Sequence, residues 1–109
     1  MGGFQSLLER DVLTFLLKEE QPVVWVLAHR LWTEKNIPKS YSEPIAAGRL
    51  LVVPPVAQTA TRVDARTAII RNRYILEHSE QVVCAVIDPN GTLFRLVGQY
   101  PDLQWQVLA

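Results

Sequence analysis

The chain has 109 residues, 49% hydrophobic and 20% charged, a composition typical of one ordinary globular domain. Equal numbers of basic and acidic residues (11 and 11) argue against a basic field over the whole surface, so any anion site must be local. No stretch approaches the roughly 18 apolar residues of a membrane span, and with no signal peptide visible we expect a cytoplasmic protein.

The chain opens with an amphipathic helix, predicted over SLLERDVLTFLLKEE. Ser6 is its expected N-cap, and Glu9, three residues on, completes a capping box. Pro22 ends this segment, and the continuous apolar run 23–28 is typical of a central strand in a parallel sheet. The expected apolar face of the helix consists of Leu8, Val12, Phe15 and Leu16.

A second helix and strand are predicted in the middle of the chain. Pro38 and Pro44 are placed as helix starts and Gly48 as a stop. The run RLLVVPP then predicts a short strand near 50–54, closed by two prolines.

A third helix is predicted from about Asp64 to His78, with Thr61 or Asp64 as its cap. The run QVVCAVI predicts a third buried strand near 82–87, DPNG a turn, TLFRLVGQY a short helix, and the tail a strand near 104–109. Helices that alternate with apolar strands indicate βαβ units, so we expect an α/β fold with a mostly parallel sheet of about four strands and helices on both faces.

Three glycine or loop segments precede predicted helices, where phosphates bind in α/β sheets. They are Gly2-Gly3, the loop after Pro54-Pro55, and the turn with Asn90, Gly91 and Thr92. Each offers free backbone N–H groups and the positive end of a helix dipole. The alternative is that each is simply a turn that needs glycine.

Four arginines and a single acid, Asp64, lie between positions 62 and 73. On a helix, Arg62, Arg66 and Arg73 fall within about 40° of one another, which favours an external anion-binding stripe. Arg73 should face water or Glu77, four residues on. A solvated stripe whose stems pack along apolar neighbours is the open alternative.

Arg71 lies only two residues before Arg73, so its side chain leaves the helix in a different direction. We expect it to reach the strand-end pocket near Gly91 and Thr92. The two arginines should therefore play different parts.

The histidines, the cysteine and two aromatic residues do not indicate a particular site. His29 and His78 lack partners at metal-ligand spacing, so no metal is expected. Cys84, the single cysteine, is expected to be a buried thiol. Trp32 and Tyr41 follow a strand and either pack or stack on a base.

Most of the chain resembles the DNA-processing protein A (DprA/Smf) family of DNA recombination mediators, and most closely its short stand-alone relatives. The most specific pieces are Gly48-Arg49-Leu50-Leu51 before a strand and Arg71-Asn72-Arg73 in the following helix. The resemblance implies one Rossmann-like domain over 1–109, a three-layer sandwich. It also implies single-stranded DNA binding by basic residues near strand ends, self-association, and neither catalysis nor a cofactor.

The sequence departs from that family in two places. The family has strands before its Gly-Gly turn, whereas Met1 stands there in this sequence, so we expect the domain to lack the usual first strands. A bare sheet edge would then favour a homodimer that buries Phe4, Leu7 or the strand beside Val24. Ser6 is followed by leucine instead of the family's proline, which weakens that half of the motif.

A related branch, the lonely-guy phosphoribohydrolases, pairs an arginine with a Gly-Thr-x-x-Glu turn. This sequence has Gly91 and Thr92, but Arg95 occupies the glutamate position. Glycosidic cleavage needs that carboxylate, so an enzyme is the lesser alternative.

We therefore expect a non-catalytic domain that binds a phosphate-bearing ligand, either a nucleotide or single-stranded nucleic acid, in DNA processing or recombination. A self-associating structural module with a degenerate site is the other alternative. The candidate binding residues are Gly2, Gly3, Arg62, Arg66, Arg71, Arg73, Asn90, Gly91 and Thr92.

Overall fold

A computed structural model describes residues 1–84 and 88–107 of the chain and shows a mixed α/β fold. Helices and short strands alternate, as the sequence predicts, and a 3₁₀ turn at Glu34–Asn36 precedes the second α-helix. The elements are α1 Leu7–Lys18, β1 Val23–Val26, α2 Lys39–Ala46, β2 Leu50–Val53, α3 Ala65–Glu77, β3 Gln81–Cys84, α4 Thr92–Val97 and β4 Gln104–Val107.

The described strands form two parallel pairs. β1 pairs with β2 in a register that sets Val23 opposite Leu50, and β3 pairs with β4 in a register that sets Gln81 opposite Gln104. The predicted parallel pairing is confirmed, but the two pairs are separate two-stranded sheets, and one four-stranded sheet is not shown. The predicted strand ends at 85–87 and 108–109 lie outside the described residues.

The burial of the strands is uneven. β1 is almost wholly buried, whereas β4 is largely exposed. The prediction that the third strand is buried is wrong for Val83, which is 49% exposed in β3. The core of this half of the molecule packs against Val82, so one side of β3 is left uncovered.

The N-terminus of α1 is set by hydrogen bonds between Ser6 and Glu9. The Ser6 hydroxyl accepts a hydrogen bond from the Glu9 N–H (3.2 Å), and the Glu9 carboxylate accepts one from the Ser6 N–H (3.1 Å), which confirms the capping box. The predicted apolar face is partly wrong, because Leu13 is buried whereas Phe15 is 61% exposed.

The ends of α2 are set by Pro38 and Gly48, and Pro44 lies at a different place from the one predicted. Pro38 is the N-cap as expected, but Pro44 lies inside the helix, so its predicted role as a start is wrong. Gly48 ends the helix with φ +76°, and its N–H bonds to the Ile45 carbonyl. The next N–H, of Arg49, bonds to the Pro44 carbonyl, completing a Schellman motif.

Two hydrophobic clusters make up the interior. The first joins α1, α2, β1 and β2 around Trp25, which is 2% exposed, and the second joins α3 and α4 around Leu76 and Leu96. The inner face of α3 also carries the buried polar residues Thr67 and Arg71. In the described part of the chain, no helix has the length and apolar character needed to span a membrane.

Candidate phosphate-binding site

The Gly2-Gly3 turn is held against β1 by three hydrogen bonds. The Gly2 N–H donates to the Val24 carbonyl (3.0 Å), and the Val26 N–H donates to the Gly2 carbonyl (2.8 Å). The Trp25 indole N–H donates to the Gly3 carbonyl (3.1 Å). Because β1 lies in the first hydrophobic cluster, the turn is fixed to a rigid element.

Phe4 ends this turn in a conformation that non-glycine residues rarely adopt, with φ +43°. Its ring is 7% exposed and packs edge-to-face on Trp25, with the ring centroids 6.4 Å apart. The packing of Phe4 on Trp25 therefore holds a strained backbone conformation in place. Strained residues of this kind are often found at binding sites.

Gly3 lies directly against the side chain of Arg71. A Cβ atom at Gly3 would be 2.7 Å from Arg71 Cδ and 2.8 Å from its Nε, closer than real contacts allow. Any residue with a Cβ atom at this position would force the arginine or the turn to shift. The structure thus joins two predicted site residues that are far apart in the sequence.

Arg71 is 9% exposed, and its guanidinium hydrogen-bonds only to neutral groups within the described residues. Nε donates to the Asn72 side-chain oxygen (3.1 Å) and Nη1 to that of Gln5. Burial lowers the pKa of Arg71, and the nearby Glu9 opposes this shift. Glu9 makes no ion pair with it, since the single salt bridge among described residues joins Arg49 and Glu43.

The site therefore combines a buried guanidinium, which has no ion pair among the described residues, with the first turn of a helix. Gln5 and Ser6 lead into the 12-residue α1, whose N-terminal N–H groups and dipole favour an anion. An arginine fork is well suited to a phosphate because it donates parallel hydrogen bonds.

A cleft of about 530 Å³ opens beside this turn. Met1, Gly2 and Gly3 form one wall, and the four residues of β3 form another. Glu9 is the one carboxylate residue among its described lining residues. The remaining lining side chains come mainly from α1 and α3: Ser6, Leu8, Val12, Leu16, Asn72, Ile75 and Leu76.

The other predicted arginines are exposed and do not join Arg71. Arg62 precedes the cap Asp64 and lies outside α3, so the helical spacing that grouped it with Arg66 and Arg73 does not apply. Arg73 donates to the Gln99 side chain (3.2 Å) and not to Glu77. The predicted difference between Arg71 and Arg73 is confirmed: one is buried and the other exposed.

The turn before α4 forms as predicted but does not hold Arg71. The carbonyl and the carboxylate of Asp88 accept from the N–H groups of Gly91 (2.8 Å) and Asn90 (2.9 Å) respectively. Thr92 is exposed and begins a helix of 6 residues. The expectation that Arg71 reaches this turn is wrong, because its described contacts are with Gly3, Gln5 and Asn72.

Two contacting residues of the site, Gln5 and Asn72, were missed by the sequence analysis. Gln5 lies 66 positions from Arg71, and no short-range pattern connects them. Trp32 and Tyr41 stack on each other at 10° and pack edge-to-face on Trp25, which supports the packing alternative for this pair.

The described residues contain no group of three His, Cys, Asp or Glu side chains that could hold a metal ion. Cys84 is buried, and burial, with a smaller effect of Glu9, raises the pKa of its thiol.

Comparison of the chain with protein-family models, with curated proteins and with solved structures finds no match.

Proposed function

We propose that this chain is a non-catalytic domain that binds a phosphate-bearing ligand, a nucleotide or single-stranded nucleic acid, at the Gly2-Gly3 turn. The observation that carries the proposal is Arg71, a buried cation whose described partners are neutral. Burying a charge without a direct ion pair is costly, so a ligand phosphate in contact with the guanidinium would gain from the low local dielectric. The absence of a side chain at Gly3 lets Arg71 lie against the turn, since a Cβ atom there would be 2.7 Å from Arg71 Cδ.

The proposed fold and family are those of the resemblance: a Rossmann-like domain similar to DNA-processing protein A, acting in DNA processing or recombination. Parallel strands and a glycine turn that leads into a helix support this interpretation. Arg62 and Arg66 lie on the exposed N-terminal side of α3, where they would attract a second phosphate of a longer ligand.

We propose that the domain performs no glycosidic chemistry. Glu9 is the carboxylate of the described cleft lining, and its side chain caps α1 through the Ser6 N–H. Arg95, in the last turn of α4, is a cation where a general acid or base would be needed. Incubation with adenosine monophosphate should therefore release no free adenine, and release that depends on Arg71 would overturn this part of the proposal.

The direct test is fluorescence anisotropy with a labelled oligothymidylate at low salt, comparing two variants of one helix. Arg71→Met removes the buried guanidinium, whereas Arg73→Met removes an exposed one that bonds to Gln99. We expect at least tenfold weaker binding for the first and a change within twofold for the second. Equal effects of the two variants would show that only general surface charge matters.

Competition separates the two ligand classes. If the site takes a mononucleotide, adenosine monophosphate displaces the oligonucleotide, and inorganic phosphate does so more weakly. About three phosphate contacts on a single strand predict a shallow slope near −2 in log affinity against log salt. Binding that is insensitive to salt and to Arg62→Ala with Arg66→Ala would remove the two exposed arginines from the proposal.

A second candidate function, self-association, is supported by the apolar surface of α1. Leu7 is 88% exposed and Phe15 61% exposed, so this helix presents apolar side chains to solvent. Phe4, by contrast, is buried within its own chain and is not available to a dimer as predicted. Sedimentation should show a dimer at tens of micromolar that Phe15→Ser dissociates, and a monomer under the same conditions would count against it.

A further inference from the structure

Glu9 places a negative charge beside the proposed phosphate site. Its carboxylate accepts a hydrogen bond from the Ser6 N–H (3.1 Å), and the neighbouring Gln5 side chain accepts one from the Arg71 guanidinium. Glu9 is partly buried and lines the same cleft as Gly3, the residue against which Arg71 lies. The charge of Glu9 also opposes the lowering of the Arg71 pKa by burial. The carboxylate therefore lies near enough to act on Arg71, although the two form no ion pair within the described residues.

The neighbouring charge of α1, Arg10, is directed to a different part of the molecule. Its guanidinium lies over the Trp25 ring, 4.9 Å from the ring centroid, and donates a hydrogen bond to the Tyr41 hydroxyl (3.3 Å). Arg10 therefore contacts the aromatic side chains of the first hydrophobic cluster. Glu9, by contrast, is the one charged residue among the described residues that line the cleft, and Arg71 is the arginine that lies against the turn.

The charges at this site nearly cancel. The positive charge of Arg71 and the negative charge of Glu9 offset each other, and the dipole of α1 adds the equivalent of roughly half a positive charge at the helix N-terminus. A phosphodiester carries one negative charge, whereas a terminal phosphomonoester carries about 1.5 to 2 at neutral pH. The second charge of a monoester has no further cation to offset it in the described part of the site, and Glu9 repels it.

We propose that Glu9 makes the site selective for singly charged phosphates, so that the site binds a phosphodiester in preference to a terminal phosphomonoester. This inference rests on the proposed function, because it concerns the phosphate that Arg71 binds. Of the two ligand classes named there, the phosphates within a nucleic acid strand fit the charge of the site better than the phosphate of a free nucleotide. Glu9 is then a specificity residue as well as the capping residue of α1.

The probes are thymidine 5′-phosphate and its methyl ester, which differ by one methyl group and one charge. Each is used to displace a labelled oligothymidylate from the full chain at pH 8 and low salt, with thymidine as the control that lacks a phosphate. At this pH the monoester carries close to two negative charges and the methyl ester carries one. We expect the methyl ester to bind at least fivefold more tightly than the monoester.

A matched pair of variants tests whether Glu9 causes the preference. Glu9→Gln removes the charge and keeps a side chain that can accept from the Ser6 N–H, since Glu and Gln both serve at this position of a capping box. Asp11→Asn removes an exposed carboxylate of the same helix that is not among the described lining residues. Both variants are checked for native circular dichroism. We expect Glu9→Gln to reduce the preference to within twofold, through tighter binding of the monoester, and Asp11→Asn to leave it at least fivefold.

The failure of this inference can be told apart from the failure of the proposed function. If the chain binds no oligothymidylate, or binds it equally well after Arg71→Met, the proposed function is wrong and the selectivity falls with it. If the oligonucleotide binds through Arg71 but the monoester competes as well as its methyl ester, only the selectivity is wrong. An unchanged preference in Glu9→Gln, or equal effects of Glu9→Gln and Asp11→Asn, would overturn the role given to Glu9.

Discussion

The contact between Gly3 and Arg71 gives the sharpest prediction about stability. Gly3→Ala would place a methyl carbon 2.7 Å from Arg71 Cδ and 2.8 Å from its Nε. These atoms belong to a buried stem, so relief requires either a shift of the N-terminal turn or a new arginine rotamer. A new rotamer would break the hydrogen bonds to Gln5 and Asn72.

We expect a net loss of about 1–2 kcal/mol in the free energy of unfolding. Overpacking costs about 1–3 kcal/mol, and alanine regains roughly 0.4–1 kcal/mol by restricting the unfolded chain. The midpoint of thermal unfolding should fall by about 4–10 °C for a domain of this size. Urea unfolding followed by tryptophan fluorescence measures the change, with Gly98→Ala as control, because the nearest atom to its added Cβ is at an ordinary 3.4 Å.

A double-mutant cycle decides whether the arginine is the cause. Arg71→Ala removes the atoms that the new methyl group meets, so Gly3→Ala should cost at least 1 kcal/mol less in that background, a coupling typical of residues in contact. An equal loss from Gly3→Ala in both backgrounds, or a loss no greater than that from Gly98→Ala, would show that contact with Arg71 is not the cause.

Three further predictions concern single positions. Glu20 follows α1 with φ +55°, so Glu20→Gly should raise the free energy of unfolding by about 0.5–1 kcal/mol in urea titration, and a loss would contradict it. Gly48 has φ +76° and open space around it, so Gly48→Ala should lower the same quantity by about 1 kcal/mol through backbone strain alone, and an unchanged midpoint would contradict that. Burial raises the pKa of Cys84, so at pH 8 the native thiol should react with Ellman's reagent at least tenfold more slowly than in urea, and equal rates would show an accessible thiol.

The parts of the fold that the sequence predicted are those set by neighbouring residues. Ser6 and Glu9 cap α1 because three positions bring a side chain to the right N–H, and Gly48 ends α2 because it adopts a positive φ. The first three strands were recognisable as runs of apolar residues, and the parallel pairing of the strands follows from the intervening helices.

The parts that were missed depend on contacts between distant segments. The periodicity of α3 shows that Arg71 and Arg73 diverge, but it contains nothing about which segment lies opposite each face. Pro44 was misplaced because proline inside a helix is unfavourable, yet here it is a buried residue of α2. The division into two sheets depends on strand edges, which have no signature in the side-chain pattern.

Arg71 also allows stability and binding to be separated. A methionine of similar length at this position removes the cost of a buried charge and loses two hydrogen bonds to neutral side chains. These effects are opposed, so Arg71→Met should change the free energy of unfolding by less than about 1 kcal/mol. The stabilisation by phosphate should differ: at a hundred times the dissociation constant of the natural chain, phosphate would stabilise that chain by about 2.7 kcal/mol and the variant, if it binds tenfold more weakly, by only about 1.4 kcal/mol. Unfolding in urea with and without phosphate measures both quantities. A variant that loses more than about 3 kcal/mol, in a protein whose natural form gains nothing from phosphate, would show that the arginine only supports the turn.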